Sequence, residues 1–217
     1  MVLTIKQCNR LCNYCWNFIL LFVIFLSSCT FNHKLTSKKN NLEANQLWIN
    51  HQKQLTKITK FQTSGSLSYI SVNNKIYTKF FFQQYTQSNY SILFTNLLGI
   101  AELELNVIQN VIYVIDKEGK RYVNNHPEQI IYQLTGIKIN IKNLSHLLIG
   151  LPSNSNLFTL DENGLLKTVK YMYNEEALNV KYITYYQNRK IRLPKIIELT
   201  EDKYRIKLII DSWAINE

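Results

Sequence analysis

The heptapeptide Ala101-Glu-Leu-Glu-Leu-Asn-Val107 alternates strictly between apolar and polar residues. Successive side chains of a β-strand point to opposite faces of its sheet, so this pattern predicts a strand with one buried and one solvated face. Antiparallel sheets commonly have these two environments. The heptapeptide therefore predicts an antiparallel sheet with one apolar side.

Similar segments lie on both sides of this heptapeptide. They are rich in β-branched and aromatic residues and are separated by turns that contain Asn, Asp, Ser or Gly. The gaps between most of them have hairpin length, which again favours antiparallel pairing. Strands are predicted over residues 65–70, 75–82, 90–95, 111–115, 157–160, 165–173, 178–186, 195–200 and 204–213.

Three helices are predicted beside the sheet. Apolar spacing favours an amphipathic helix over 42–59, Pro127 suits the first position of a helix over 127–135, and Asn140 can cap a helix over 141–149. A sheet of about eleven strands tends to curl, and the helices have to bury their apolar faces. We therefore expect a mainly β (α+β) fold, in which helices cover the concave side of a curled sheet and enclose an apolar cavity.

The N-terminus has the pattern of an export signal. Lys6 and Arg10 precede an apolar run over 18–26, which leads into Leu26-Ser-Ser-Cys29. This ending is typical of a bacterial lipobox, in which the Cys thiol accepts a diacylglycerol and the Cys becomes the first residue of the mature chain. The alternative is an ordinary signal peptide with an incidental Cys. Thr30 is not the Asp that commonly retains lipoproteins in the inner membrane, which favours the outer membrane.

This reading divides the chain into three segments. We predict a lipoprotein signal peptide over 1–28, a lipidated Cys29 that begins a flexible tether over 29–41, and one domain over 42–217. The other three of the four cysteines precede Cys29, so no intramolecular disulfide is expected in the mature chain. The covalent N-acyl diacylglycerol on Cys29 is the one bound group expected.

The net charge of +10 is spread over many strands, with no Arg-rich helix and no base-stacking motif. Nucleic-acid binding is therefore not expected. An exported, membrane-tethered chain more plausibly uses this charge toward an acidic protein or an anionic membrane.

No pattern of catalytic residues is apparent. The histidines are scattered, and neither a metal-binding His motif nor a nucleophile elbow is present. Glu102 and Glu104 share one face of a strand, and the alternation directs them toward solvent. We expect neither an enzyme nor a metal site.

Short stretches that carry a family resemblance follow one another in order over residues 62–69, 75–84, 93–99, 101–105, 119–122, 134–136, 148–152 and 205–213. They resemble the LolB family, outer-membrane lipoproteins that receive other lipoproteins from the periplasmic carrier LolA. The resemblance implies an incomplete, curled antiparallel β-barrel of about eleven strands with helices lidding a hydrophobic cavity.

The family's most distinctive element is a loop, written Asn-Pro-Leu-Gly in well-known members, that carries an exposed Leu. The corresponding residues here are Asn96-Leu-Leu-Gly99. The resemblance implies a membrane-insertion loop formed by Leu97, Leu98 and Gly99, with Leu97 in the place of the Pro. Without the resemblance, the two Leu residues would be assigned to a buried strand end.

The resemblance also implies a function and its partners. The chain is expected to accept acylated lipoproteins from LolA and to insert them into the inner leaflet of the outer membrane, acting as a lipid-anchored monomer that faces the periplasm. The alternative is a structural or lipid-binding lipoprotein that serves as an envelope-assembly scaffold. Large apolar residues are candidates for the cavity, with plain core packing as the alternative for each: Trp48, Phe80, Phe82, Ile92, Phe94, Leu103, Val114, Leu148 and Trp213.

Overall fold

The computed structural model describes residues 33–109, 111–123, 127–135, 144–173, 176–201 and 203–215. The predicted signal peptide, Cys29 and Asn140 lie outside these ranges. The chain separates into two compact units, Met1–Glu43 and Ala44–Glu217, and the sheet belongs to the second.

Eleven strands and three helices make up the described part of the chain. The helices are α1 (His33–Leu55), α2 (Pro127–Thr135) and α3 (Leu144–Ile149). None of them is long and apolar enough to cross a membrane. The strands are β1 (Phe61–Ser71), β2 (Lys75–Gln84), β3 (Tyr90–Thr95), β4 (Ala101–Ile108), β5 (Val111–Asp116), β6 (Arg121–Val123), β7 (Phe158–Leu160), β8 (Leu166–Tyr173), β9 (Glu176–Tyr185), β10 (Pro194–Glu201) and β11 (Tyr204–Ile215).

The strands form one antiparallel sheet in the order β6-β5-β4-β3-β2-β1-β11-β10-β9-β8-β7. Two meanders, β1 to β6 and β7 to β11, therefore pair with each other at the centre of the sheet, through β1 and β11. Strands β6 and β7 are the two edges, so the sheet does not close. This arrangement confirms the predicted mainly β fold with one open antiparallel sheet.

The central pair of strands shows why one face of the sheet is the core. In β1, every second residue from Phe61 to Tyr69 is buried, and the polar residues that alternate with them are partly exposed. The Phe61 ring stacks on the Phe82 ring of β2, with 5.2 Å between the ring centroids. It also contacts Trp213 of β11, with 5.5 Å between the ring centroids. Alternation along each strand thus brings its apolar side chains to one shared interior.

Gly65 lies at a close approach of the β1 and β11 backbones. The register shifts between Ser64 and Gly65, and a Cβ at Gly65 would overlap the backbone carbonyl of Ile209. Glycine inside a strand often marks a bulge or a close backbone approach, and here it marks both.

Two elements differ from the predictions. Helix α1 begins at His33, inside the segment predicted to be a tether, and ends at Leu55 rather than at residue 59. The residues from 33 to 55 contain neither Gly nor Pro, so nothing in them stops a helix. Strand β6 was not predicted, because its three residues are too few to show an alternation.

Candidate functional site

The turn between β3 and β4 is held by the side chain of Asn96. Its Oδ1 accepts hydrogen bonds from the backbone N–H groups of Leu98 (3.0 Å) and Ile100 (3.1 Å). The Gly99 N–H donates to the Asn96 carbonyl at 3.0 Å, which closes a β-turn, and Gly99 has a φ of 86°. Asn in the first position and Gly in the fourth are favoured in such turns.

This turn presents apolar side chains to solvent. Leu97 is 69% exposed, Leu98 is 86% exposed and Ile100 is 61% exposed. Large apolar residues next to one another on a surface commonly mark an interaction site. The alternative that Leu97 and Leu98 are buried at a strand end is therefore wrong, and both project from the sheet.

We expect Asn96→Ala to loosen this turn and leave the rest of the fold intact. The substitution removes the acceptor of two hydrogen bonds, each worth about 1 kcal/mol, so amide exchange at Leu98 and Ile100 should accelerate about fivefold or more. Native-state hydrogen exchange measures the change. Leu97→Pro is the matched control, because Pro is favoured at the second turn position and should keep exchange slow. Unchanged exchange in Asn96→Ala would contradict this role of Asn96.

A cavity of about 570 Å³ opens at the same end of the sheet as this turn. Helix α2 contributes one of its walls and contacts β5. Its apolar lining residues are Leu67, Ile76, Phe94, Leu103, Ile131 and Leu134, and its polar ones are Thr78, Glu102, Asp116, Lys117, Glu118, Tyr122 and Thr135. Phe94 and Leu103 lie on the two strands that the turn connects, so the exposed leucines and the cavity are neighbours.

A second, apolar space lies between the sheet and helix α3, and side chains fill almost all of it. Its free volume is only about 30 Å³. Leu144 and Leu148 of α3 face Leu67, Phe80, Phe82, Ile92, Phe94, Leu199, Ile206 and Leu208 of the sheet across it. We call this space the apolar seam.

The predicted cavity residues fall into two groups. Six of them line the cavity or the apolar seam: Phe80, Phe82, Ile92, Phe94, Leu103 and Leu148. Three are buried but are not among the lining residues of either space: Trp48, Val114 and Trp213. Trp48 packs against Phe158 at 5.9 Å, and the Trp213 Nε1–H donates to the Pro194 carbonyl at 3.1 Å, so both have clear packing roles.

The wall of the cavity contains an ionised group that sequence reasoning missed. Asp116 accepts hydrogen bonds from the Tyr122 hydroxyl (2.8 Å) and from the Glu118 and Lys120 amides (2.9 Å each). Partial desolvation pushes its pKa up, but these hydrogen bonds outweigh that effect, so the pKa of Asp116 lies below its ordinary value. This side of the cavity therefore stays charged and polar.

Helix α3, which lines the apolar seam, is fastened to the sheet by a buried tyrosine. The Tyr182 hydroxyl of β9 donates to the Leu147 carbonyl in α3 at 2.9 Å. Burial raises the pKa of Tyr182 well above its ordinary value, so the hydroxyl remains a donor at neutral pH. Carbonyl groups in the last turn of a helix lack partners within the helix, which is why this contact stabilises the position of α3.

The two predicted carboxylates have separate environments. Glu104 accepts a hydrogen bond from Asn106 at 2.7 Å, whereas Glu102 borders the cavity. Among the described residues, no group of three or more His, Cys, Asp and Glu side chains is placed to hold a metal ion.

The fold identifies the class of protein first. An open antiparallel sheet with helices over its apolar face is similar to the crystal structure of a LolA superfamily protein from Nitrosomonas europaea, with a TM-score of 0.54 over 78% of this chain and 94% of that one. The sequence identity is 7%, so the likeness concerns the fold alone.

The sequence then identifies the family. The family described as outer membrane lipoprotein LolB matches residues 59–213. The outer-membrane lipoprotein LolB of Photorhabdus laumondii is 41% identical over 88% of this chain and 91% of its own length. The corresponding protein of Serratia proteamaculans is 38% identical over 77% and 81%. The chain belongs to the LolB family, which confirms the predicted resemblance and is not a known family of enzymes.

Proposed function

We propose that this chain accepts lipoproteins from the periplasmic carrier LolA, covers their acyl chains beneath α2 and α3, and inserts them into the inner leaflet of the outer membrane. The observation that carries the proposal is the position of the exposed Leu97–Leu98 turn beside the mouth of the cavity. A surface that enters lipid and a site that holds lipid are thereby adjacent.

The energetics explain why a protein has to cover the cargo. A lipoprotein with three acyl chains of about fifteen methylenes each would pay roughly 35 kcal/mol to expose them to water. Unassisted crossing of an aqueous compartment is therefore negligible, and each hand-over has to keep the chains covered.

The two spaces in the structure divide this task. A cavity of about 570 Å³ is within the range of small-molecule sites, whereas the apolar seam of about 30 Å³ has space for little more than one water molecule. Cargo with several acyl chains needs more apolar surface than the open cavity offers. We infer that α3 moves away from the sheet during uptake and exposes the apolar seam.

Transfer needs no covalent step in this scheme, because direction follows from relative affinity. Each tenfold difference in binding corresponds to about 1.4 kcal/mol. The receptor then has to bind acyl chains more tightly than the carrier does, and the bilayer more tightly than the receptor. A lipid on Cys29 would keep the receptor at the outer membrane, facing the periplasm.

We expect Tyr182→Phe to favour the open position of α3. The change removes the hydroxyl that bonds the Leu147 carbonyl and should cost about 1 kcal/mol of stability, while exchange of the α3 amides rises about fivefold. Tyr185→Phe is the matched control, because the Tyr185 hydroxyl bonds the Leu166 carbonyl at 2.7 Å, outside α3. Hydrogen exchange followed by mass spectrometry separates the two variants. If the α3 amides were equally protected from exchange in the two variants, the Tyr182 hydroxyl would not be what holds α3 against the sheet.

A hand-over assay tests the proposed function. Carrier LolA loaded with a radiolabelled triacylated lipoprotein is mixed with the tagged receptor, and the receptor is then captured. Cargo on the captured receptor supports the proposal. Cargo that stays with the carrier contradicts it and favours an envelope-assembly scaffold.

A further inference from the structure

The turn between β1 and β2 ends in an exposed apolar side chain. Val72 is 90% exposed. The turn is ordered, since the Ser71 N–H donates to the Asn74 carbonyl at 2.8 Å and the Asn74 N–H donates to the Ser71 Oγ at 3.1 Å. An ordered tip thus holds an apolar group in solvent.

Next to this apolar tip, the exposed face of β2 presents an aromatic side chain between two cationic ones. Tyr77 is 61% exposed, and Lys75 and Lys79 precede and follow it on the same face of the strand. Ile70 of β1 pairs with Lys75 and is also exposed. Tyrosine and lysine side chains of this kind place their apolar parts in a membrane interface and their polar ends in water.

The charge of this hairpin is not compensated. No Asp or Glu occurs between Glu43 and Glu102 in the sequence. In the other half of the sheet, by contrast, Glu198 pairs with Arg205 at 2.7 Å and with Lys207 at 3.8 Å. Within the described residues, neither Lys75 nor Lys79 forms an ion pair with a carboxylate.

The hairpin tip lies at the same end of the sheet as the Leu97–Leu98 turn. Lys79 pairs with Thr95, the last residue of β3, and β2 extends from that level to Lys75 next to the tip. Both turns therefore lie at the same end of the strands. The sideways separation between them is set by the spacing of paired strands, which is about 5 Å.

We propose that Ile70, Val72, Lys75, Tyr77 and Lys79 form a second membrane contact, which selects a bilayer that contains anionic phospholipid. This inference rests on the proposed function, because it takes the Leu97–Leu98 turn as the first contact. The apolar tip enters the interface, and the two lysines pair with anionic headgroups. An acidic protein would satisfy the lysines but would leave the exposed Val72 and Tyr77 without a reason.

The size of the effect follows from the two lysines. One lysine near an anionic surface strengthens attachment about fivefold, so removing both should lower occupancy of the contact about thirtyfold. The effect should disappear at high salt, since exposed charges are screened beyond a few ångströms there.

The test uses the chain lipidated on Cys29 and reconstituted in vesicles without cargo, and cargo-free LolA is added only in a separate arm. Val72→Cys carries an environment-sensitive fluorophore, and it labels selectively because Cys8, Cys12 and Cys15 precede the lipidated Cys29. The vesicles are phosphatidylcholine alone or with about 30% phosphatidylglycerol. We expect a blue-shifted, stronger emission only in the anionic vesicles, and no change for a label at residue 163, which lies in the β7–β8 turn at the opposite end of the strands.

Two charge variants complete the test. Lys75→Gln/Lys79→Gln should abolish the response to phosphatidylglycerol. Lys57→Gln/Lys60→Gln removes the same charge before β1, at its opposite end, and should keep the response. The proposal would be overturned if the label emitted equally in both kinds of vesicle, or if both double variants lost the response to phosphatidylglycerol equally. It would also be overturned if the emission responded to added LolA instead of phosphatidylglycerol. Because no cargo is present, none of these results depends on whether hand-over occurs.

Discussion

A receptor with Leu98→Glu is expected to take cargo from LolA normally and to fail at delivery to membranes. Leu98 is the most exposed of the large apolar side chains at the β3–β4 turn, so its replacement disturbs little packing. Transfer of a leucine side chain into lipid contributes about 2 kcal/mol, and a carboxylate there costs energy in addition. We therefore expect delivery to fall about 100-fold. The measurement is radiolabelled cargo recovered with vesicles, with cargo on the receptor counted in parallel.

Ile108→Glu is the matched control for this prediction. Ile108 is an exposed aliphatic residue at the other end of β4, so its replacement adds the same charge far from the turn. Delivery should remain within a factor of about two, as expected for a surface substitution outside the site. Normal delivery by Leu98→Glu, or an equal defect in both variants, would refute the role of the turn.

Gly65→Ala is expected to have the largest effect on stability. The added Cβ would collide with the Ile209 carbonyl in the pairing that joins the two halves of the sheet. Backbone has to move to relieve the collision, since no flexible side chain is involved. Overpacking of this kind should lower the free energy of unfolding by about 3 kcal/mol or more. Urea denaturation followed by circular dichroism gives the value.

Gly119→Ala separates the effect of crowding on stability from the effect of a left-handed backbone conformation. Gly119 has a φ of 82°, but nothing lies within 4 Å of its added Cβ. Its replacement should cost only the strain of the left-handed conformation, about 1 kcal/mol. If the two variants were equally stable, crowding at the β1–β11 pairing would not be the reason for Gly65.

Strand alternation made most of the sheet predictable. The heptapeptide over 101–107 became β4 (Ala101–Ile108), with Leu103, Leu105 and Val107 buried. Helix α2 occupies the predicted range because Pro127 suits its first position. These features depend on residues close together in sequence, so local sequence patterns are enough to predict them.

Features that depend on distant residues were not predictable in this way. The bond between Tyr182 and Leu147 joins residues 35 positions apart, on two elements with no shared sequence pattern. Alternation also could not separate Phe82, which lines the apolar seam, from Trp213, which does not. Both are apolar and buried, and only the position of α3 distinguishes them.

The pairing of β1 with β11 has a consequence for how the chain is made. Phe61, the first residue of β1, pairs with Ile215, the last residue of β11. Strand β1 therefore has no partner on that side until β11 has been made. Pairing between strands so far apart in sequence forms slowly, because the intervening loop has to close first. A chain that ended just before β11 would leave β1 and β10 with unpaired edges at the centre of the sheet, a state that favours aggregation.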